Sequence, residues 1–172
     1  MRHHYTTQFL YSPLGDVGMT EILFKYIRRN RELFLDLVNS LSIDQLNKIP
    51  NGFNNNIVWN FGHIVITTQA LSYTRSGIKP GMEIKYFDKY QKGTKPESFI
   101  TEQELAELKS MLFTTIDNIE ADIKNNVFTN IKPFATQTYG LEMNSIEEVI
   151  TCSLTHDAMH YGVALAQRKL VV

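Results

Sequence analysis

The chain has 172 residues, 43% of them hydrophobic, 11% aromatic and 20% charged, with a formal net charge of −1 and a sequence pI of about 6.5. That is the make-up of one globular domain large enough to bury a real core, not of a disordered chain. The near-neutral charge and scattered cations argue against a nucleic-acid partner, and no apolar run approaches the ~20 residues of a membrane span.

Residues 1–18, MRHHYTTQFLYSPLGDVG, differ in character from the rest of the chain. Pro13, Gly15 and Gly18 break helices, and Met19 directly precedes a helix start. These residues read as a tail, either an expression remnant or an upstream start, with the domain spanning 19–172. His3 and His4 lack ligand-like neighbours there and take no role. From Thr20 the pattern is helical, with Ile22, Leu23, Tyr26, Ile27, Phe34, Leu37 and Val38 at helical spacing as far as Asn39. Arg28, Arg29 and Arg31 form the densest cationic group and read as a solvated stripe. Ser42 to Gln45 opens a short capped turn, closed by Pro50 and Gly52.

Asn54, Asn55 and Asn56 offer caps for a second long helix from Ile57 to Arg75, ended by Ser76-Gly77 and Pro80-Gly81. Residues 78–100 are irregular but aromatic, with Tyr86, Phe87, Tyr90 and Phe99. They predict a long ordered loop, either a site wall or a plain connection. A third helix runs from Glu102 to Lys124, with Thr101 to Glu104 as a capping box. Residues 127–143 predict a second connection with a short extended pair. Asn144 or Ser145 then caps a last helix from Ile146 to about Leu170. Four long amphipathic helices without a strand series predict an all-α four-helix bundle with a long loop between helices two and three.

Of five histidines, three lie in the predicted bundle: His63, His156 and His160. His156 and His160 are at i and i+4, so they share one helix face. His63 shares its face with Trp59, Ile66 and Thr67, an inward pattern. Neutral imidazole ligates zinc, nickel and related ions, and three histidines leave a coordination position open. The competing reading is three hydrogen-bonded core histidines. The motif is not HExxH, because Asp157 follows His156. Asp157 is rotated about 100° from His156, which disfavours ligation and leaves it a partner behind a ligand or a general base. Cys152, the only cysteine, excludes an intrachain disulfide and fits a reducing, cytoplasmic setting. It lies one turn before His156, as a small core residue, a nucleophile or a fourth ligand.

Two segments carry a resemblance: Asn55-Asn56-Ile57-Val58-Trp59-Asn60-Phe61-Gly62-His63-Ile64, and His156-Asp157-Ala158-Met159-His160-Tyr161-Gly162. With the loop Lys92-Gly93-Thr94-Lys95-Pro96, they resemble the DinB/YfiT-like superfamily of bacterial four-helix bundles over residues 19–172. The resemblance implies that His63, His156 and His160 hold a divalent metal, zinc or nickel. It implies a metal-dependent enzyme acting on a small molecule, either an S-transferase using a low-molecular-weight thiol such as bacillithiol or mycothiol, or a hydrolase. Many members have no assigned activity, so the alternatives are a non-catalytic metal-stabilised or small-molecule-binding bundle and a metal-free bundle. Tyr161-Gly162-Val163 departs from the small residue, Gly and Gln that often follow the second histidine in the family. Trp59, Tyr161, Tyr86, Phe87 and Tyr90 are the expected pocket walls, Asp157 the candidate base, and a homodimer the expected assembly.

Overall fold

The fold is described by a computed structural model covering residues 16–172. It is all-α apart from one small strand pair. Helix α1 spans Asp16–Asn39 and starts upstream of the expected Thr20. Gly18 therefore lies inside its first turns instead of breaking it, a placement that costs only about 1 kcal/mol relative to alanine. The remainder of the predicted tail, including His3 and His4, lies outside the described residues.

Helix α2 is short, Ile43–Asn47, and its start has the reciprocal cap that the sequence predicts. The Ser42 hydroxyl accepts from the Gln45 amide, and the Gln45 side chain accepts from the Ser42 amide. Helix α3, Ile57–Gln69, is capped by Asn56, whose side-chain oxygen accepts from the Trp59 amide. Every residue from Ile57 to Ile66 is buried. The helix packs on long helices and is also covered by the loop that follows it, where Tyr90 lies against Gly62 and Thr94 meets Trp59, so it is less one-sided than the amphipathic reading predicts. The expected single helix to Arg75 changes its winding part-way, and Ala70–Arg75 forms a π-helical turn.

The loop contains α4, Phe87–Tyr90, entered through Tyr86 at a left-handed φ of 65°. Helix α5, Glu102–Lys124, has half of the expected capping box. Thr101 accepts from the Glu104 amide, but the Glu104 carboxylate turns to Lys89 and Tyr90 of the loop instead. Strands β1, Phe134–Ala135, and β2, Glu142–Met143, pair antiparallel with Phe134 opposite Met143. Helix α6, Ile146–Val171, is capped by Ser145.

The four long helices close on themselves: α1 packs on α6 and α5, and α3 packs on the same two. One end of the interior holds Phe34, Phe61, Ile64, Leu108 and Leu112, and the other holds Phe24, Ile27, Ile116, Val149 and Ile150. No helix among the described residues is long and apolar enough to cross a membrane.

One expected surface residue belongs to the core. Arg28 and Arg29 do sit near solvent, paired with Asp117, Glu120 and Glu32. Arg31 is completely buried. Its five N–H donors meet five acceptors from α3, α5 and α6: the Ile64 and Leu112 carbonyls, the Thr68 and Thr115 hydroxyls, and Asp157. The solvated-stripe reading fails here because those partners come from other helices.

Candidate metal centre

Helix α3 contributes His63 and α6 contributes His156 and His160, and the contact between these helices brings the rings together. One ring nitrogen of each lies within 4.8 Å of the others. Ring centroids are 5.0 Å apart for His63 and His156, 4.6 Å for His63 and His160, and 4.4 Å for His156 and His160. Trp59, one turn before His63, stacks on that ring at 4.7 Å and 12°. Its indole N–H donates to the Thr94 hydroxyl at 3.1 Å.

Two rings are held from behind. His63 Nδ1 lies 2.5 Å from the Tyr90 carbonyl and must carry the proton to donate to it. Gly62 makes this approach feasible, because a Cβ there would stand 2.6 Å from the Tyr90 ring. The Tyr90 hydroxyl donates to Glu104 at 2.6 Å, so α5 fixes the residue that fixes His63. His160 Nδ1 donates to the Asn60 side-chain oxygen at 2.7 Å. Asn60 is itself locked, its amide donating to the Asn56 carbonyl and toward Asn55 and Gln167. In both rings the proton on Nδ1 leaves Nε2 with a free lone pair. His156 differs: its Nδ1 is buried with no hydrogen-bond partner.

Burial holds His63 well below the ordinary histidine range, at about 4, and holds His160 at about 2, with the neighbouring imidazoles adding to the effect. Both rings are therefore neutral at physiological pH, the form that ligates metals. Three converging ring nitrogens suit a divalent ion, and His63 and His160 meet it as neutral imidazoles whose tautomers are fixed by the hydrogen bonds behind them.

The cluster opens onto a cleft of about 640 Å³. Its walls come from Trp59, Thr67 and Ala70 of α3 and the π-helical turn, from Phe87, Gln91, Lys92 and Gly93 of the loop, and from Ala135 to Tyr139. Phe87 and Trp59 are walls, as the sequence suggests. Tyr161 is not; it packs against Phe34 in the core. Tyr86 is also turned away, its hydroxyl donating to Glu107 on α5. Tyr90 serves the site through its backbone carbonyl rather than its ring. Asp157 does not line the cleft; its side chain is fully buried and paired with Arg31 at 2.9 Å. That location removes it from the reach of a substrate proton and argues against its reading as a general base. Cys152 does line the cleft but does not join the converging ligand atoms.

Sequence reasoning missed Arg31, Asn60 and the Tyr90 carbonyl. Asn60 left a signal, a lone amide in the apolar run Val58-Trp59-Asn60-Phe61 three residues before His63. A backbone carbonyl leaves none.

The sequence profile of the DinB superfamily matches residues 26–164. The chain belongs to the DinB superfamily. None of the curated proteins compared with this DinB chain matches it. Among solved structures it is similar to a conserved protein from Enterococcus faecalis, with a TM-score of 0.51 and 16% identity. That likeness covers 88% of this chain and 96% of the other and concerns the fold alone.

Proposed function

We propose that this DinB-superfamily protein is a four-helix bundle that holds a divalent metal, zinc or nickel, through His63, His156 and His160, and acts as an enzyme on a small molecule in the adjoining cleft. The observation that carries the reading is the pair of backing hydrogen bonds at His63 and His160, which hold both Nδ1 protons away from the shared centre. Core histidines serving only to pack have no need of three ring nitrogens in mutual reach. A bound divalent ion would supply Lewis acidity, stabilising an anionic nucleophile or a polarised substrate oxygen near neutral pH.

The protein's own residues then decide which chemistry fits. Trp59 and Phe87 offer flat apolar surface, and Thr67, Thr136 and Gln137 offer hydrogen bonds. Among the described residues that line the cleft there is no carboxylate. Hydrolysis by water usually calls on such a base. A substrate thiol has a lower pKa than water and can lose its proton to solvent near a cation. We therefore favour transfer of a low-molecular-weight thiol to an electrophile over hydrolysis.

Protein purified without chelator or nickel resin is expected to carry about one metal per chain by elemental analysis, in keeping with the single three-ligand cluster among the described residues. His160→Ala is expected to lose the metal and keep its helical circular dichroism, since the core does not depend on the site. The loaded protein should consume small thiols in the presence of an electrophile faster than it cleaves esters. The reverse order would overturn the choice of transferase, and absence of bound metal would overturn the site.

A further inference from the structure

We propose, resting on the metal site of His63, His156 and His160, that Arg31 and Asp157 form a buried positioning pair behind it. The pair fixes the tautomer and orientation of His156, so that this ring meets a cation through Nε2. Three observations carry it.

First, the Arg31 guanidinium is saturated: every N–H has an acceptor, and one of those acceptors is Asp157 Oδ2. It cannot turn to serve anything else. Second, the other Asp157 oxygen, Oδ1, is buried without a partner, which is costly for a carboxylate. Third, His156 Nδ1, the one Nδ1 of the cluster without a hydrogen-bond partner, is buried 4.0 Å from that oxygen. These two unpartnered atoms lie 4.0 Å apart, and rotation of the imidazole toward Asp157 would join them in an Nδ1–H···Oδ1 bond. His156 then has the same construction as His63 and His160, an acceptor behind Nδ1 and a free Nε2 in front. The acceptors differ in kind: a backbone carbonyl, an amide oxygen and a carboxylate ion-paired with Arg31. The carboxylate makes its ring the strongest donor of the three. Arg31 acts through Asp157, holding its Oδ2 and so fixing where Oδ1 sits in a region closed to water.

Asp157→Asn tests the hydrogen-bond sense without changing shape. The amide oxygen must accept from Arg31, which points the amide N–H₂ at His156. His156 Nδ1 must then accept, the ring proton moves to Nε2, and the ligating lone pair is lost. Zinc affinity, read by competition with a chromophoric chelator, is expected to fall about 10- to 100-fold. In metal-free protein, ¹⁵N NMR of His156 should report a switch from the Nδ1–H to the Nε2–H tautomer, a change that a purely structural role would not produce. Thr68→Val removes another acceptor from the same guanidinium. It should lower the melting temperature and leave both readouts unchanged. If Asp157→Asn does not fold, Arg31→Met/Asp157→Leu removes both charges together, a neutral exchange that buried pairs often tolerate. It should show the same weakened zinc binding.

An unchanged tautomer with unchanged zinc affinity in Asp157→Asn would overturn the proposal. So would an equal loss of zinc binding in Thr68→Val, because affinity would then simply follow stability. A tautomer switch in a protein that binds no zinc would refute the metal reading and uphold the hold of the pair on His156.

Discussion

The histidine cluster has two walls of different construction. Toward the interior stand Arg31, Asp157, Asn60 and Gln167, all buried and joined by hydrogen bonds between α1, α3, α5 and α6. Toward the cleft stand the loop after α3 and the β1–β2 connection, whose polar groups meet solvent. Lys92 reaches Gln137 at 2.8 Å, and Arg75 reaches the Ala135 carbonyl at 3.2 Å beside the Phe134 ring, all near the surface. Water can replace a lost partner on the second wall but not on the first. The interior wall, through Asn60, and the buried loop residue Tyr90 therefore fix where the His160 and His63 imidazoles point, and the solvent-facing part of the cleft wall is free to vary with the substrate. Breaking the two walls should give effects of different size and kind.

The largest effect is expected at Arg31. Arg31→Met leaves the Asp157 carboxylate buried without its cation and frees acceptors on three helices. Loss of one partner of a buried pair costs about 3–5 kcal/mol. For a domain of this size that lowers the melting temperature by on the order of 10 °C. Thermal unfolding followed by circular dichroism reads this directly, and a shift of only a degree or two would place Arg31 outside the structural core of the network.

Acid comes next. His63 and His160 are held neutral in the folded protein, His63 at about 4 and His160 at about 2, whereas an unfolded histidine titrates near 6.5. As the pH falls below 6.5 the unfolded chain takes up protons first, so unfolding is favoured. For metal-free protein, stability should be complete above about pH 7 and decline between 6.5 and 4, by roughly a few kcal/mol. The decline should continue more slowly below that as only His160 remains to protonate. His63 is faced by His156, Asp157 and Lys92, and the two cationic or cationisable neighbours work against its protonation. Urea unfolding at a series of pH values tests the slope. His63→Gln should flatten it, and a flat profile in the unaltered protein would contradict the burial of these rings.

Gly62→Ala should act at smaller cost, through the buried loop residue Tyr90. The added methyl meets the Tyr90 ring at 2.6 Å, and the Tyr90 hydroxyl is tied to Glu104. Overpacking of this kind costs about 1–3 kcal/mol. The distinguishing readout is zinc binding: displacing Tyr90 withdraws the carbonyl behind His63, so affinity should fall along with stability. A variant that is destabilised but binds zinc normally would show that the carbonyl is dispensable.

These residues also mark how much was legible in the chain. The helices, Asn56, Thr101 and Ser145 as caps, and the histidine triplet could be read, because periodicity, capping chemistry and the HxxxH spacing are local. The environment of Arg31 could not, since Arg28, Arg29 and Arg31 look alike until α3, α5 and α6 are placed around them. Tyr161 looked like a pocket wall because it follows His160, but one residue along a helix is about 100° of rotation, enough to turn it into the core. The π-helical turn at Ala70–Arg75 left no residue signature at all.

Cys152 supplies the smallest expected effect and tests the cleft wall. It lies one turn before His156 and borders the same cleft, so its sulfur is a candidate for a fourth ligand position. Burial raises the pKa of its thiol, and the Thr136 side chain offsets only part of that. At neutral pH the group is then a thiol, and it is the thiolate that ligates metals and attacks electrophiles. Cys152→Ser keeps the shape and exchanges a weak hydrogen-bonding thiol for a stronger hydroxyl. Stability should move by no more than about 0.5 kcal/mol, and zinc affinity should not move. Turnover of small thiols should persist, because the nucleophile arrives with the substrate. A large loss of zinc affinity would instead bring the sulfur into the ligand set. That would close the shell with four protein ligands, the arrangement of structural zinc, and remove the open position on which the proposed chemistry depends.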